Sequence, residues 1–150
     1  MCGIAGVYRA RGVADDRDVV EGMLSELETR GPDGKGIYAS GPMTLGYRRL
    51  AILDLSSAAA QPMLSPSGRF VVTFNGEIYN FRELAAGIPA PVGGLRSTSD
   101  TEVLLLAWER WGPDCLDRLV GQWAFVMTLG LLLLVAASPS SEPSLKLEST

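Results

Sequence analysis

MCGIAGVY, residues 1–8, is the stretch on which the reading of the chain turns. GIAGVY (3–8) is a short apolar run bounded by glycine and by Arg9, and such a run reads as a buried strand that begins directly after the N-terminus. Met1 and Cys2 then stand at the strand's start. From Asp16 to Thr29 the apolar residues Val19, Val20, Met23, Leu24 and Leu27 recur at helical spacing. Asp15 or Asp16 supplies a cap and Gly31-Pro32 the stop, giving an amphipathic helix of about four turns. GIYAS (36–40), MTLGYRRLAIL (43–53) and RFVVTFNGEIYN (69–80), separated by turn chemistry, read as strands of an antiparallel sheet. FRELAAGI (81–88) reads as a short helix, and the Pro/Gly-rich loop after it leads to a helix from Asp100 to Trp111 capped by Ser99 or Asp100. PDCLDRL (113–119) opens with Pro at a favoured first helical position, and GQWAFVM (121–127) is one more strand. The alternation predicts helices layered against sheets.

The chain has 150 residues, 47% hydrophobic and 20% charged, the composition of one globular domain. A net charge of −4 and a pI near 4.8 weigh against a nucleic-acid partner, since no basic cluster is present to displace counterions from phosphates. The two cysteines, Cys2 and Cys115, are far apart and lack framework spacing, so a reducing, cytoplasmic setting is expected rather than a disulfide-stapled secreted domain. The N-terminus has no signal-peptide pattern. Histidine is absent altogether, which excludes Ser-His-Asp and Cys-His catalysis within the chain and removes the usual imidazole ligands of zinc, so no metal site is expected.

Cysteine at position 2 offers another way to move a proton. Removal of Met1, which happens when the next side chain is small, would leave a thiol and a free α-amine on one residue. An α-amine titrates near ~7.7–8.0 and a thiol near ~8.5, so the amine can take the thiol's proton at neutral pH, directly or through water. The competing reading of Cys2 alone is an incidental small hydrophobe.

MCGIAGVY (1–8), RGPDG (30–34), GYRRLAILDLS (46–56), AQPM (60–63), FNGEIYNFREL (74–84) and STSDTEVLL (97–105) occur in the order seen in class II glutamine amidotransferases, and residues 1–127 resemble that domain. NGEIYN together with RGPDG resembles the asparagine synthetase (glutamine-hydrolysing) branch. The resemblance implies an α+β fold, a four-layer αββα sandwich of the N-terminal-nucleophile hydrolase type. It implies hydrolysis of L-glutamine to glutamate and ammonia through a thioester on Cys2.

The resemblance also implies roles. Arg49 matches the arginine that binds the substrate's α-carboxylate, a task suited to the planar fork of guanidinium. Its neighbour Arg48 reads as a solvated strand residue. Asp100 matches the acid that binds the α-ammonium, a helix start keeping it ionised; on its own it also reads as a simple cap. Asn75 and Gly76 match the oxyanion hole, although Asn-Gly by itself is a hairpin-turn signal. Glu77 helps to hold glutamine, and the backbone of Leu50, Ala51, Ile52 and Leu53 lines the same pocket. In RGPDG, Gly31 is expected to permit unusual backbone angles, and Arg30 and Asp33 to tie the loop beside the nucleophile. Trp108, Trp111 and Trp123 read as core or interface aromatics and Cys115 as helix packing.

After Met127 the sequence departs from the family's pattern. Relatives continue into a further strand and then a synthetase domain, to which ATP and magnesium belong, so no cofactor is expected for this chain. TLGLLLLVAASPSSEPSLKLEST (128–150) instead implies a truncated domain with a divergent tail, residues 138–150 being expected to be disordered. Leu129 to Ala137 could fill the vacant strand position by burial, but badly, because its apolar residues do not alternate. Leu119 to Ala137 is 19 residues without a charge, which on length alone raises a tail-anchored membrane protein. Residues 119–127 match a soluble strand, and the ten residues left, 128–137, are too few to cross a bilayer. An inactive fragment or non-catalytic glutamine-binding module keeps the same fold, and a homodimer is left open.

Overall fold

The computed structural model describes residues 2–10, 15–51, 54–91, 93–129 and 132–138. β1 (Gly3–Tyr8), β2 (Gly34–Ser40) and β3 (Met43–Arg49) form an antiparallel sheet in the order β1-β3-β2. β4 (Met63–Leu64), β5 (Phe70–Ile78), β6 (Gly121–Leu129) and β7 (Leu132–Ala137) form a second sheet in chain order. The two sheets stack, α1 (Arg17–Glu26) covers the outer face of the first, and α2 (Phe81–Ala86) and α3 (Asp100–Trp111) cover that of the second. This is the expected α+β arrangement, an αββα sandwich.

The period-2 alternation of strands assigns each residue to a layer. On β3, Met43, Leu45, Tyr47 and Arg49 face the second sheet, where Met43 and Leu45 pack on Val71 of β5 and Val126 of β6. Thr44, Gly46 and Arg48 face α1. On β5 and β6, Phe70, Val72, Phe74, Trp123, Phe125 and Met127 turn the other way and join Val103, Leu104 and Leu105 of α3 in the main core. Asn75 and Glu77 of β5 and Gln122 and Ala124 of β6 are thereby left on the face toward the first sheet.

The first helix is shorter than the apolar spacing predicts. It has ten residues, and the chain then tightens into a 3-10 turn over Glu28–Arg30, with Arg30 N bonded to Leu27 O at 3.0 Å. Asp16 flanks the helix start, but its carboxylate is taken by Arg9 rather than by a helix amide. Ser99, not Asp100, caps α3, its hydroxyl accepting the Thr101 amide. PDCLDRL belongs to a 3-10 turn, Gly112–Arg118. Cys115 is fully buried among Ile88, Leu106 and Ala107, and burial pushes its thiol up to about 12.

The sheet does not stop at Met127. β6 runs to Leu129, and residues 132–137 pair back along it from Leu129↔Leu132 to Ala124↔Ala137. The apolar run lacks polar alternation, but as an edge strand it needs only one packed face. Leu134 and Ala136 lie against the core while Leu133 and Val135 are exposed, Val135 at 68%. Ser138 extends the ladder, its amide reaching Trp123 O at 2.7 Å; the rest of the expected disordered segment, 139–150, lies outside the described residues. No helix among the described residues is long and apolar enough to cross a membrane.

Candidate active site

At one end of the sandwich the sheets part around a cavity of about 420 Å³. Cys2, Arg49, Leu50, Ala51, Asn75, Gly76, Glu77 and Asp100, eight of the residues singled out in the sequence, all line it. Ile52 and Leu53 lie outside the described residues.

Cys2 is half-buried at the start of β1. Its Sγ accepts the Leu50 amide at 3.3 Å and lies 3.5 Å from Leu50 O, so the segment after β3 holds the sulfur from one side. The RGPDG loop ties down the backbone around it. Arg30 Nε donates to Cys2 O at 3.3 Å, Asp33 N donates to Arg49 O at 2.9 Å, and Asp33 Oδ2 accepts the Ala51 amide at 2.8 Å. Gly31 has an ordinary negative φ of −144°, contrary to expectation. Its glycine is required by close approach: a Cβ there would meet the Arg48 carbonyl carbon at 2.5 Å.

The paired arginines point to opposite layers. Arg49 faces the cavity, its guanidinium held by the carbonyls of Asp54 and Ser56. Among the described residues no carboxylate pairs with it. Arg48, expected to be solvated, is instead buried against α1. Its Nε donates to Leu24 O at 2.9 Å and its Nη2 stands 3.6 Å from Glu28, a cation placed at the helix's C-terminal end.

Asn75 and Gly76 are not a hairpin turn. They sit within β5, paired with Ala124 and Trp123 in a ladder of nine continuous pairs to β6. The backbones come so close there that a Cβ on Gly76 would lie 2.3 Å from Gln122 O. Glycine is demanded by that approach, which lies at the cavity wall.

Asp100 opens α3 from a buried position, 5% exposed, and its Oδ2 accepts the Ile78 amide at 3.0 Å. The helix start does not dominate its ionisation as expected. Burial pushes the carboxyl upward, and the charge of Glu77 adds to that. The amides of Ile78 and Thr101 oppose it without prevailing. Asp100 and Glu77 thus present two neighbouring acidic groups, and among the described residues neither forms an ion pair.

Several residues that hold this geometry were not legible. Asp54 Oδ2 accepts the Thr98 amide at 2.8 Å and hydroxyl at 3.1 Å while Oδ1 accepts the Ser56 amide. Those donors keep its carboxylate well below the usual range. Gln61 bridges β5 and α3, accepting from Phe74 N at 2.6 Å and donating to Thr101 Oγ1 at 3.1 Å. Buried Glu102 accepts from Arg96 N, Ser97 N and Ser97 Oγ, shaping the loop before Asp100. Tyr47, on the cavity wall, gave no signal beyond its place two residues before Arg49. Trp123 combines core packing with lining the cavity. Among the described residues no group of three or more His, Cys, Asp or Glu could hold a metal ion.

A family model described as a glutamine amidotransferase domain matches residues 1–129. Asparagine synthetase (glutamine-hydrolyzing) 3 of Bacillus subtilis (strain 168) is 33% identical over 130 residues, 85% of this chain and 21% of that protein. Asparagine synthetase B (glutamine-hydrolyzing) of Escherichia coli (strain K12) is 38% identical over 133 residues, 85% of this chain and 23% of that protein. The chain spans about a fifth of the length of these curated relatives. Among solved structures, the glutamine phosphoribosylpyrophosphate amidotransferase from B. subtilis, complexed with ADP and GMP, aligns at a TM-score of 0.71 and 21% identity. It covers 91% of this chain and 37% of that one, and at such identity it speaks for the fold alone, the αββα sandwich.

Proposed function

The chain belongs to the glutamine amidotransferase domain family, and from that premise we propose that it hydrolyses L-glutamine to glutamate and ammonia through a thioester on Cys2. The observation that carries the proposal is the common cavity. One half-buried thiol, one guanidinium to which no described residue offers a carboxylate partner, and two adjacent acids face the same 420 Å³ space. Free glutamine has the complementary groups: an amide carbon for the thiol, a carboxylate for Arg49, and an ammonium for Asp100 and Glu77.

In the reaction, the α-amine exposed by removal of Met1 takes the Cys2 proton, and the thiolate attacks the side-chain amide carbon. The oxygen that becomes negative receives hydrogen bonds from the Asn75 side-chain amide and the Gly76 N–H. As the C–N bond breaks, the nitrogen leaves as ammonia with the proton returned by the amine. Water then cleaves the thioester to glutamate and frees the thiol. The backbone of Leu50 and Ala51 forms the wall beside the substrate. No step calls for a cofactor or metal; ATP and magnesium fit the synthetase part of the longer relatives.

We extend the proposal to a cytoplasmic protein with no nucleic-acid partner, in which residues 1–127 form the amidotransferase domain and 128–150 a divergent tail that lends β7 to the sheet. In longer relatives a synthetase domain would use the ammonia. A homodimer is compatible with this scheme.

Treatment with a glutamine analogue bearing an electrophile at the side-chain carbonyl tests the core of it. Mass spectrometry should find Met1 gone and one adduct on Cys2, blocked by excess glutamine. An adduct on Cys115, or a Cys2 that reacts without glutamine competition, would overturn it.

A further inference from the structure

Cys2 directly precedes β1, whose register pairs Gly3 with Arg48 and Ile4 with Tyr47. Continued by one residue, that register sets Cys2 opposite Arg49 and diagonal to Tyr47, all three on the face toward the second sheet. A diagonal cross-strand pair lies within reach of an aromatic side chain. Tyr47 is 4% exposed and lines the cavity with Cys2.

We propose that Tyr47 is the positioning residue of the nucleophile: its hydroxyl donates to the Cys2 sulfur, and with the Leu50 N–H it fixes the sulfur on the side of the cavity opposite Asn75 and Gly76. The inference rests on the assignment of Cys2 as nucleophile and goes beyond it, since none of the chemistry derived above uses Tyr47.

The phenol can serve only as a donor. Burial first, and then the neighbouring Cys2 and the charge of Asp100, push its ionisation far above the ordinary range, against the pull of Arg49. It keeps its proton throughout the working range and cannot act as a base. The charged groups that surround the pair are Arg49 on β3, Arg30 and Asp33 on the loop before β2, Asp54, Glu77 at the end of β5 and Asp100 on α3. Among these Tyr47 supplies a neutral donor to sulfur, and a hydrogen bond to a charged acceptor is stronger than one between neutral groups.

Tyr47→Phe in the full chain removes this hydrogen bond and little volume. Glutaminase kcat should fall about tenfold, the loss of one such bond, while KM for glutamine stays within about twofold. Alkylation of Cys2 by iodoacetamide at pH 7, read on the Cys2 peptide, should slow by about threefold or more, the sulfur having lost one of the donors that hold it. A merely structural tyrosine would change the melting temperature and KM but not the alkylation rate. Unchanged alkylation in a folded Tyr47→Phe protein overturns the proposal. Should the chain prove to lack glutaminase activity, the functional reading fails, and alkylation alone still decides the role of Tyr47. If Tyr47→Phe does not fold, Tyr47→Gln, which retains an N–H donor, takes its place, with alkylation slowed less than in Tyr47→Ala as the supporting result and equal rates in the two as the overturning one.

Discussion

Asp100 accepts the Ile78 amide at 3.0 Å, so the last residue of β5 and the first of α3 meet at one buried carboxylate. Burial raises the folded-state ionisation of that group above its unfolded value. The unfolded chain therefore ionises first as pH rises from about 4, and ionised Asp100 costs stability at neutral pH. Asp100→Asn, neutral at every pH, should melt higher than the wild type at pH 7, with the gap closing toward pH 4. It should also bind glutamine more weakly by about 2–5 kcal/mol, the cost of removing one partner of a charge pair. Thermal melts from pH 4 to 8 with glutamine titrations check both, and a gap independent of pH would contradict the first.

Arg48 and Arg49 should fail in different ways. Arg48→Ala strips the buried Leu24 carbonyl of a donor and should destabilise the fold by about 1–3 kcal/mol with little change in KM for glutamine. Arg49→Ala should raise KM steeply at nearly constant stability. Denaturant melts and initial rates on the two variants separate the roles, and identical profiles would refute the division.

Asn75→Ala should lower kcat by about 10²–10³ while leaving glutamine binding nearly intact, as for the loss of one oxyanion donor. Single-turnover measurement of the acylation step distinguishes this from a misfolded site. A variant that acylates at the wild-type rate would remove Asn75 from the oxyanion hole.

Val135→Lys addresses the exposed edge. Charge on an edge strand discourages pairing with another chain, and Val135 contributes its side chain to solvent rather than to the core. Sedimentation should show less self-association than the wild type, with the melting temperature within about 2 °C, as expected for a surface change of a few tenths of a kcal/mol. Unaltered association would show that β7 is not the adhesive edge.

The sequence made the layers legible because periodicity and glycine or proline breaks report on local geometry. GIAGVY and DTEVLLLAWERW appear as the elements their patterns predict, and MTLGYRRLAIL does so over Met43–Arg49. It also named eight of the residues that line the cavity, because motifs such as NGE and STSD carry them as a block. Orientation within a strand was another matter. RR leaves open which arginine faces the substrate, and only the register with β1 sends Arg48 to the helix. Long-range hydrogen bonds were illegible as well: Asp54 meets Thr98 across 44 residues, and nothing in either segment announces its partner. The Asn75-Gly76 pair misled as a turn because the glycine answers to a neighbouring strand, not to chain reversal.

The nine unbroken pairs between β5 and β6 tie the accuracy of the site to strand alignment. Slippage by a single residue would exchange the two faces of β5, sending Asn75 and Glu77 into the helical layer and bringing Phe74 and Ile78 toward the thiol. Such a molecule would keep its sheets and lose its substrate contacts together. Gly76 guards against this, since the neighbouring backbone tolerates no side chain there and a misaligned strand would force a Cβ into that place. Fidelity of assembly and competence of the pocket are thus a single inherited trait.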